Sequence, residues 1–227
     1  MSEQGPTGFT VWTVLRRDPL TAQDQIGQAA AGAEALADAV AAVEAGDVVV
    51  RGVYDVSAMR GDADLMLWLH GPTAEGLQAA VRRLRRSREL APLALTWSAM
   101  GVHRDAEFNK AHVPGFLRGV EPRGWLCVYP FVRSYDWYVL PDDDRKAMLA
   151  EHGRKGAAFR SVIANTVSAF ALNDYEWLLP LESDELTDLV DMMRELRATR
   201  ARLHVREEVP FFTGRRIGLD EVAEVLA

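Results

Sequence analysis

Tyr129-Pro130-Phe131-Val132-Arg133-Ser134-Tyr135-Asp136-Trp137-Tyr138 is followed, after an acidic turn, by Met148-Leu149-Ala150-Glu151-His152-Gly153. The first segment continues an aromatic and β-branched run that predicts a strand over residues 125–135. The second lies within a predicted helix over residues 142–159. An arginine and several oxidisable rings on the strand thus precede a histidine on the helix by about 20 residues. The arrangement is the one expected if a porphyrin lies between strand and helix.

Further strands and a further helix are predicted from residue 162 to the end of the chain. Asn173-Asp174 suits a hairpin turn between two further strands, and a helix and a last strand follow. The predicted strands cover residues 162–172, 176–181 and 204–211, and the helix covers 184–199. The second half of the chain therefore has the order βαββαβ.

The first half gives the same order of elements. Its strands are predicted over residues 9–17, 48–56, 64–70 and 93–102, and its helices over 24–45 and 73–90. The two halves share little residue identity, so the repeat rests on element order alone. Two ferredoxin-like βαββαβ halves usually pack sheet against sheet with their helices outside. We therefore expect an α+β fold made of residues 1–104, an inter-half loop 105–123, and residues 124–227.

Composition disfavours several classes of protein. The 33 acidic residues exceed the 26 basic ones, and a net charge of −7 disfavours nucleic acid as the main partner. No run reaches the roughly 18 apolar residues of a membrane span, and the N-terminus lacks a secretory pattern. A cytoplasmic protein is expected. Cys127 is the single cysteine, so any metal must be held by histidine, carboxylate or a prosthetic group.

Strand alternation places Tyr129, Phe131 and Arg133 on one face of the predicted strand. Tyr129 and Arg133 are then separated by roughly 13 Å, about the reach across a porphyrin. A core tyrosine with a satisfied hydroxyl and an arginine at a solvated strand end would give the same pattern.

Two histidines are candidates for chemistry. His152 follows Met148 by four residues and so faces the apolar side of its helix, where it could ligate haem iron. His112 lies in the loop between the halves and could take a proton from a bound peroxide. Each could instead be structural, His152 as a core histidine and His112 as an exposed loop residue.

Taken jointly, several segments resemble the coproheme decarboxylases of actinobacterial type, within the chlorite dismutase-like haem protein family. The resemblance is dense from about residue 109 to the end. The segments are Asn109-Lys110-Ala111-His112-Val113-Pro114, the Tyr129 to Tyr138 run, Glu151-His152-Gly153, Asp174-Tyr175-Glu176-Trp177, Met193-Arg194 and Glu207-Glu208-Val209-Pro210-Phe211-Phe212-Thr213-Gly214-Arg215-Arg216.

The resemblance implies a dimeric α+β barrel subunit, a homopentamer and the last step of coproporphyrin-dependent haem synthesis. In that step hydrogen peroxide oxidatively decarboxylates two propionates of iron coproporphyrin III (coproheme), and haem b and carbon dioxide are released. Coproheme is both substrate and redox centre. Transient contact with coproporphyrin ferrochelatase is also implied.

The resemblance also implies residue roles. His152 matches the proximal iron ligand, Tyr129 the tyrosine whose radical attacks a propionate, and His112 the distal histidine that deprotonates peroxide. Arg133 matches a basic residue beside a propionate, and Trp137 an aromatic residue near the second decarboxylation.

Two alternatives stay open: a non-catalytic haem or coproheme carrier, and another haem peroxidase of the same family. Chlorite dismutases carry a distal arginine, and firmicute relatives a glutamine, at a position that we place at Ala164. Chlorite breakdown therefore loses support, and the firmicute distal arrangement cannot be transferred to this chain.

Overall fold

The computed structural model describes residues 8–18, 33–105 and 113–227. The strands are β1 (Phe9–Arg16), β2 (Val49–Asp55), β3 (Leu65–Gly71), β4 (Ala94–Val102), β5 (Trp125–Arg133), β6 (Ile163–Ala164), β7 (Val167–Ser168), β8 (Trp177–Ser183), β9 (Val205–Glu207) and β10 (Phe212–Ile217). The α-helices are α1 (Glu34–Glu44), α2 (Ala74–Leu84), α3 (Asp142–Gly156), α4 (Leu186–Arg197) and α5 (Val222–Val225). Short 3₁₀ segments cover Gly115–Arg118, Trp137–Val139, Arg200–His204 and Leu219–Glu221.

The described residues form two compact units. The N-terminal unit holds the described residues up to Val102 together with 212–227, and the C-terminal unit holds His103–Phe211 without its undescribed part. The sequence had placed all of 124–227 in one half. In the structure β10 instead pairs antiparallel with β2, with Arg215 opposite Asp55, which assigns residues 212–227 to the N-terminal unit.

In the N-terminal unit the strand order is β4-β1-β3-β2-β10, and every pair is antiparallel. Leucines at alternate positions of β3 point to one face of this sheet, where they pack against leucines of α1 and α2. These side chains are fully buried: Leu36, Leu65, Leu67, Leu69, Leu77 and Leu84. Thr73 begins α2 by accepting a hydrogen bond from the Gly76 N–H through its Oγ1 at 3.1 Å.

In the C-terminal unit β8 pairs with β5 on one side and with β6 and β7 on the other, and β5 also pairs with β9. Tyr129 lies opposite Leu179 and Phe131 opposite Trp177. The single strand predicted over 162–172 is interrupted after Ala164. The buried Asn165 side chain accepts from the Phe116 N–H at 2.9 Å and donates to Glu182 at 2.9 Å, and these bonds fix a break in the ladder.

Helices α3 and α4 pack against each other in this unit. Three aspartates occupy the first turn of α3, where they complement the positive end of the helix dipole. Leu189 and Met192 of α4 pack in the cluster that holds Cys127 and Tyr129. The face of β5 that carries Tyr129 is therefore the face that α4 covers.

No helix of the described part of the chain combines the length and apolar character needed to cross a bilayer.

Candidate active site

The C-terminal unit contains a cavity of about 280 Å³. Its walls come from β5, β8, α3 and α4. Residues 199–208, which follow α4 and include β9, also contribute to them. The lining residues are Tyr129, Phe131, Arg133, Trp137, Leu149, His152, Thr166, Trp177, Leu179, Met193, Leu196, Arg197, Thr199, Ala201, Arg202, Val205 and Glu208.

Four of the five predicted site residues line this one cavity, namely Tyr129, Arg133, Trp137 and His152. They are far apart in sequence, and the packing of α3 beside β5 brings them together. The fifth, His112, lies outside the described residues. Ala164 lies in β6 and packs against the Cys127 and Tyr129 cluster.

Tyr129 reaches the cavity because alternation along β5 turns it to the face covered by α4. Only 3% of the residue is exposed, and its ring stacks on Phe211 with 4.4 Å between centroids. The phenol donates a hydrogen bond to Sδ of Met193 at 3.4 Å. Burial, with a smaller contribution from neighbouring negative charge, raises the pKa of Tyr129 far above its ordinary value. The phenol therefore stays protonated and held in place.

His152 projects into the cavity one turn after the buried Met148 of α3. Its Nδ1 is buried and has no hydrogen-bond partner among the residues that the structure describes. Burial lowers the pKa of His152, and the positive charge of Arg133 lowers it further. The imidazole is thus neutral near pH 7, the state in which a ring nitrogen can ligate a metal.

Arg133 is held against two aromatic rings. Its guanidinium carbon lies 4.0 Å from the Trp137 ring centroid and 4.7 Å from that of Phe131. Its backbone N–H donates to Oε2 of Glu176 at 2.9 Å. Trp137 is itself buried, with 1% exposed. A guanidinium stacked in this way keeps its N–H groups at the ring edge, where they suit a carboxylate.

A second charged group in the cavity escaped the sequence analysis. Glu208 accepts a hydrogen bond from Arg197 and forms an ion pair with Arg202, with 3.0 Å between nitrogen and oxygen. Arg197 follows Met193 by four residues on α4, so helical periodicity could have placed it on the cavity side. Arg202 and Glu208 lie outside regular periodic segments and gave no such signal. Three arginines against one glutamate leave this cavity wall cationic.

The donor set fits an iron porphyrin that carries carboxylates. No group of three or more His, Cys, Asp or Glu side chains in the described ranges could hold a metal ion by itself. An iron bound by His152 would therefore need its other ligands from a macrocycle. Aromatic and aliphatic walls suit a flat ring, and the arginines suit propionates.

Comparison with known proteins gives two matches in sequence. A sequence model of the chlorite dismutase family matches residues 28–217. A coproheme decarboxylase from Mycolicibacterium smegmatis is 54% identical over 176 residues, which is 77% of this chain and 76% of that protein.

Two solved structures of variant chlorite dismutases from Candidatus Nitrospira defluvii also superpose on the chain. One has a TM-score of 0.83 at 18% identity and covers 99% of this chain and 96% of its own. The other has a TM-score of 0.83 at 21% identity and covers 100% and 97%. At these identities the likeness concerns the fold alone.

Proposed function

Because the chain belongs to the chlorite dismutase family and has its mixed α+β fold, we propose that it decarboxylates coproheme to haem b with hydrogen peroxide. The observation that carries the proposal is the shared cavity of His152 and the buried, protonated phenol of Tyr129. It agrees with the name of the 54% identical relative, a coproheme decarboxylase.

The reaction balances with one peroxide for each propionate. Each propionate chain becomes a vinyl group by losing carbon dioxide, two electrons and one proton. Hydrogen peroxide takes up these two electrons, the proton released by the substrate and one proton from solvent, and becomes two waters. Two rounds convert the tetracarboxylate into haem b, so the protein must both hold carboxylates and guide electrons and protons between the substrate edge and peroxide.

His152 would hold the iron of the bound substrate, and Arg133, Arg197 and Arg202 would hold its propionates. The bound iron porphyrin supplies, with peroxide, the oxidising power. Because Glu208 already accepts a hydrogen bond from Arg197 and forms an ion pair with Arg202, an arriving carboxylate would meet a partly neutralised pair there, with Arg133 as a further cation in the same cavity.

Tyr129 would act as the one-electron oxidant of the first propionate. A protonated phenol can give up an electron together with its proton and then recover both as a hydrogen atom from a carbon beside it. Met193 accepts the phenol hydrogen and so orients the O–H bond. Trp137, packed on Arg133, would serve the second propionate. His112 would take the proton from peroxide.

The strand order supports the finer description of the fold. The first four strands of the N-terminal unit lie side by side in the order β4-β1-β3-β2. The C-terminal unit has the equivalent order β9-β5-β8-β6. When β6 and β7 are counted as one interrupted strand, in both units the strand that comes fourth along the chain therefore lies beside the first, followed by the third and the second. We propose that they are ferredoxin-like repeats of a dimeric α+β barrel. We also propose a cytoplasmic homopentamer that receives coproheme from the ferrochelatase by transient contact.

Mass spectrometry of the porphyrin after peroxide addition tests the function. Protein mixed with iron coproporphyrin III should pass through a three-propionate species to haem b, with two stepwise losses. A carrier would bind the porphyrin with an unchanged mass. Turnover of chlorite or of external dyes without porphyrin conversion would favour another haem peroxidase instead.

A further inference from the structure

A set of contacting aromatic side chains extends from the cavity to the protein surface. Trp177 of β8 lines the cavity, and its ring stacks on that of Phe131 with 6.5 Å between centroids. Phe170 also packs edge-on against Trp177, with 5.6 Å between ring centroids. The indole Nε1 of Trp177 donates a hydrogen bond to the Tyr138 hydroxyl at 3.3 Å. One indole thus contacts both the cavity and a second phenol.

Tyr138 ends this path at the surface. The residue is 42% exposed, and Phe170, whose ring centroid lies 6.1 Å away, is 46% exposed. The Tyr138 hydroxyl donates to Oε2 of Glu176 at 2.8 Å. The same carboxylate oxygen accepts from the Arg133 N–H at 2.9 Å, which fixes its position. We refer to Trp177, Tyr138 and Glu176 as the relay.

We propose that the relay carries oxidising equivalents from the cavity to Tyr138. There, small phenols from solution each lose one electron. The inference rests on the proposed function only for its source of oxidant, the peroxide-treated iron porphyrin. It adds a second activity, a phenol peroxidase site at the protein surface. The exposed ring of Phe170 beside Tyr138 offers an aromatic surface on which such a phenol can pack.

The electron and proton balance is complete. Trp177 gives one electron to the oxidised centre in the cavity and becomes a radical cation. Tyr138 then gives an electron to Trp177 and its phenolic proton to the Glu176 carboxylate. A phenol at the surface returns a hydrogen atom to Tyr138 and becomes a phenoxyl radical. Glu176 finally releases its proton to water.

Glu176 is the feature that makes Tyr138 suitable. Burial raises the pKa of Tyr138, and the neighbouring carboxylate contributes in the same direction, so loss of the proton to water alone is disfavoured. Loss of the electron to Trp177 with transfer of the proton to Glu176 avoids that step. Tyr135 lacks this arrangement in what the structure shows of it. It is 84% exposed, and its hydroxyl accepts from Arg206 at 3.0 Å.

Pulse radiolysis of the porphyrin-free full chain tests the relay independently of catalysis. Azide radicals oxidise tryptophan, and transfer to tyrosine is followed by the change from indolyl to phenoxyl absorption. We expect a fast transfer phase in the parent that disappears in Tyr138→Phe and in Trp177→Phe. Glu176→Gln keeps an acceptor oxygen but cannot take the proton, and it should slow the phase by on the order of 10²-fold. Tyr135→Phe, the matched control, should retain it.

A second measurement uses the porphyrin-loaded protein with peroxide and a nitroso spin trap, followed by peptide mass spectrometry. The adduct should lie on Tyr138, and Tyr138→Phe should lose phenol oxidation while still releasing carbon dioxide. An undiminished fast phase, or undiminished phenol oxidation, in Tyr138→Phe would overturn the relay. If the parent protein shows the fast phase but releases no carbon dioxide, the result would count against the proposed function alone.

Discussion

The guanidinium carbon of Arg133 lies over the Trp137 ring, 4.0 Å from its centroid, and both residues line the cavity. Phe131 supports the same guanidinium at 4.7 Å. A charge held against two rings loses little further freedom when it binds a carboxylate, which favours binding. The same contact places Arg133, the proposed propionate-binding residue, directly against Trp137, the aromatic residue proposed for the second decarboxylation.

Replacing Arg133 with lysine should therefore weaken coproheme binding although the charge is kept. An ammonium lacks the planar fork that stacks on a ring and grips a carboxylate through two N–H groups. Loss of one charge-assisted hydrogen bond costs about 1.5–3 kcal/mol, or roughly 10- to 150-fold in Kd. Absorption titration with iron coproporphyrin III measures the change. Arg206→Lys is the matched control, because Arg206 packs on the exposed Tyr135 ring. Equal Kd values for Arg133→Lys and the parent would contradict the propionate role.

Replacing His152 with glycine should remove the iron–histidine stretch in the resonance Raman spectrum of the ferrous complex. The reason is that His152 is the proposed iron ligand and its ring is neutral near pH 7. Added imidazole should restore a comparable band by filling the space of the lost side chain. Since the pKa of His152 is lowered, protonation competes with ligation only at pH values below the ordinary histidine range. An unchanged stretch in the variant without imidazole would exclude the assignment.

His112→Ala should slow the reaction of the loaded protein with peroxide by on the order of 10² to 10⁴-fold at neutral pH. The expectation rests on the sequence resemblance, because His112 lies outside the described residues. A positioned base converts peroxide to its reactive anion, and alanine cannot. Stopped-flow absorption measures the rate. At higher pH the variant should approach the parent, because the peroxide anion then forms without help. A parental rate at pH 7 would assign the base to another group.

The N-terminal unit should show its own pH dependence through His70. Burial, with a smaller contribution from the positive charge of nearby Arg51, lowers the pKa of His70 to about 4. The unfolded chain, with an ordinary value near 6.5, binds more protons between these values, so stability falls as pH falls through that window. His70 alone should cost about 2 kcal/mol between pH 7 and pH 5. Urea unfolding of the parent and of His70→Asn measures it, and equal losses in both would contradict the assignment.

Sequence reasoning located the part of the site that regular periodicity dictates. Alternation along β5 put Tyr129 and Arg133 on one face, and four-residue spacing on α3 put His152 with Met148 on the apolar side. Both patterns are local, so they can be read before the fold is known.

The remaining features depend on contacts between distant segments. Glu208, which follows β9, forms an ion pair with Arg202, which precedes it, and no local pattern predicts that contact. The pairing of β10 with β2 joins residues about 160 positions apart, and tertiary contacts decide it rather than strand propensity. The break between β6 and β7 follows from the buried bonds of Asn165, a polar residue that a propensity scan treats as ordinary.

Tyr129→Phe should bind coproheme nearly as well as the parent and yet release no carbon dioxide. The ring stays stacked on Phe211, and the lost hydroxyl removes one weak bond to Met193, at a cost of about 1 kcal/mol or less. Phenylalanine has no proton to give up with an electron, so the proposed hydrogen-atom acceptor is gone. Mass spectrometry after peroxide addition should find only the four-propionate porphyrin. Met193→Leu is the control, since it removes the sulfur but keeps the phenol, and it should still form haem b. A Tyr129→Phe protein that forms the three-propionate species at the parental yield would exclude the radical role.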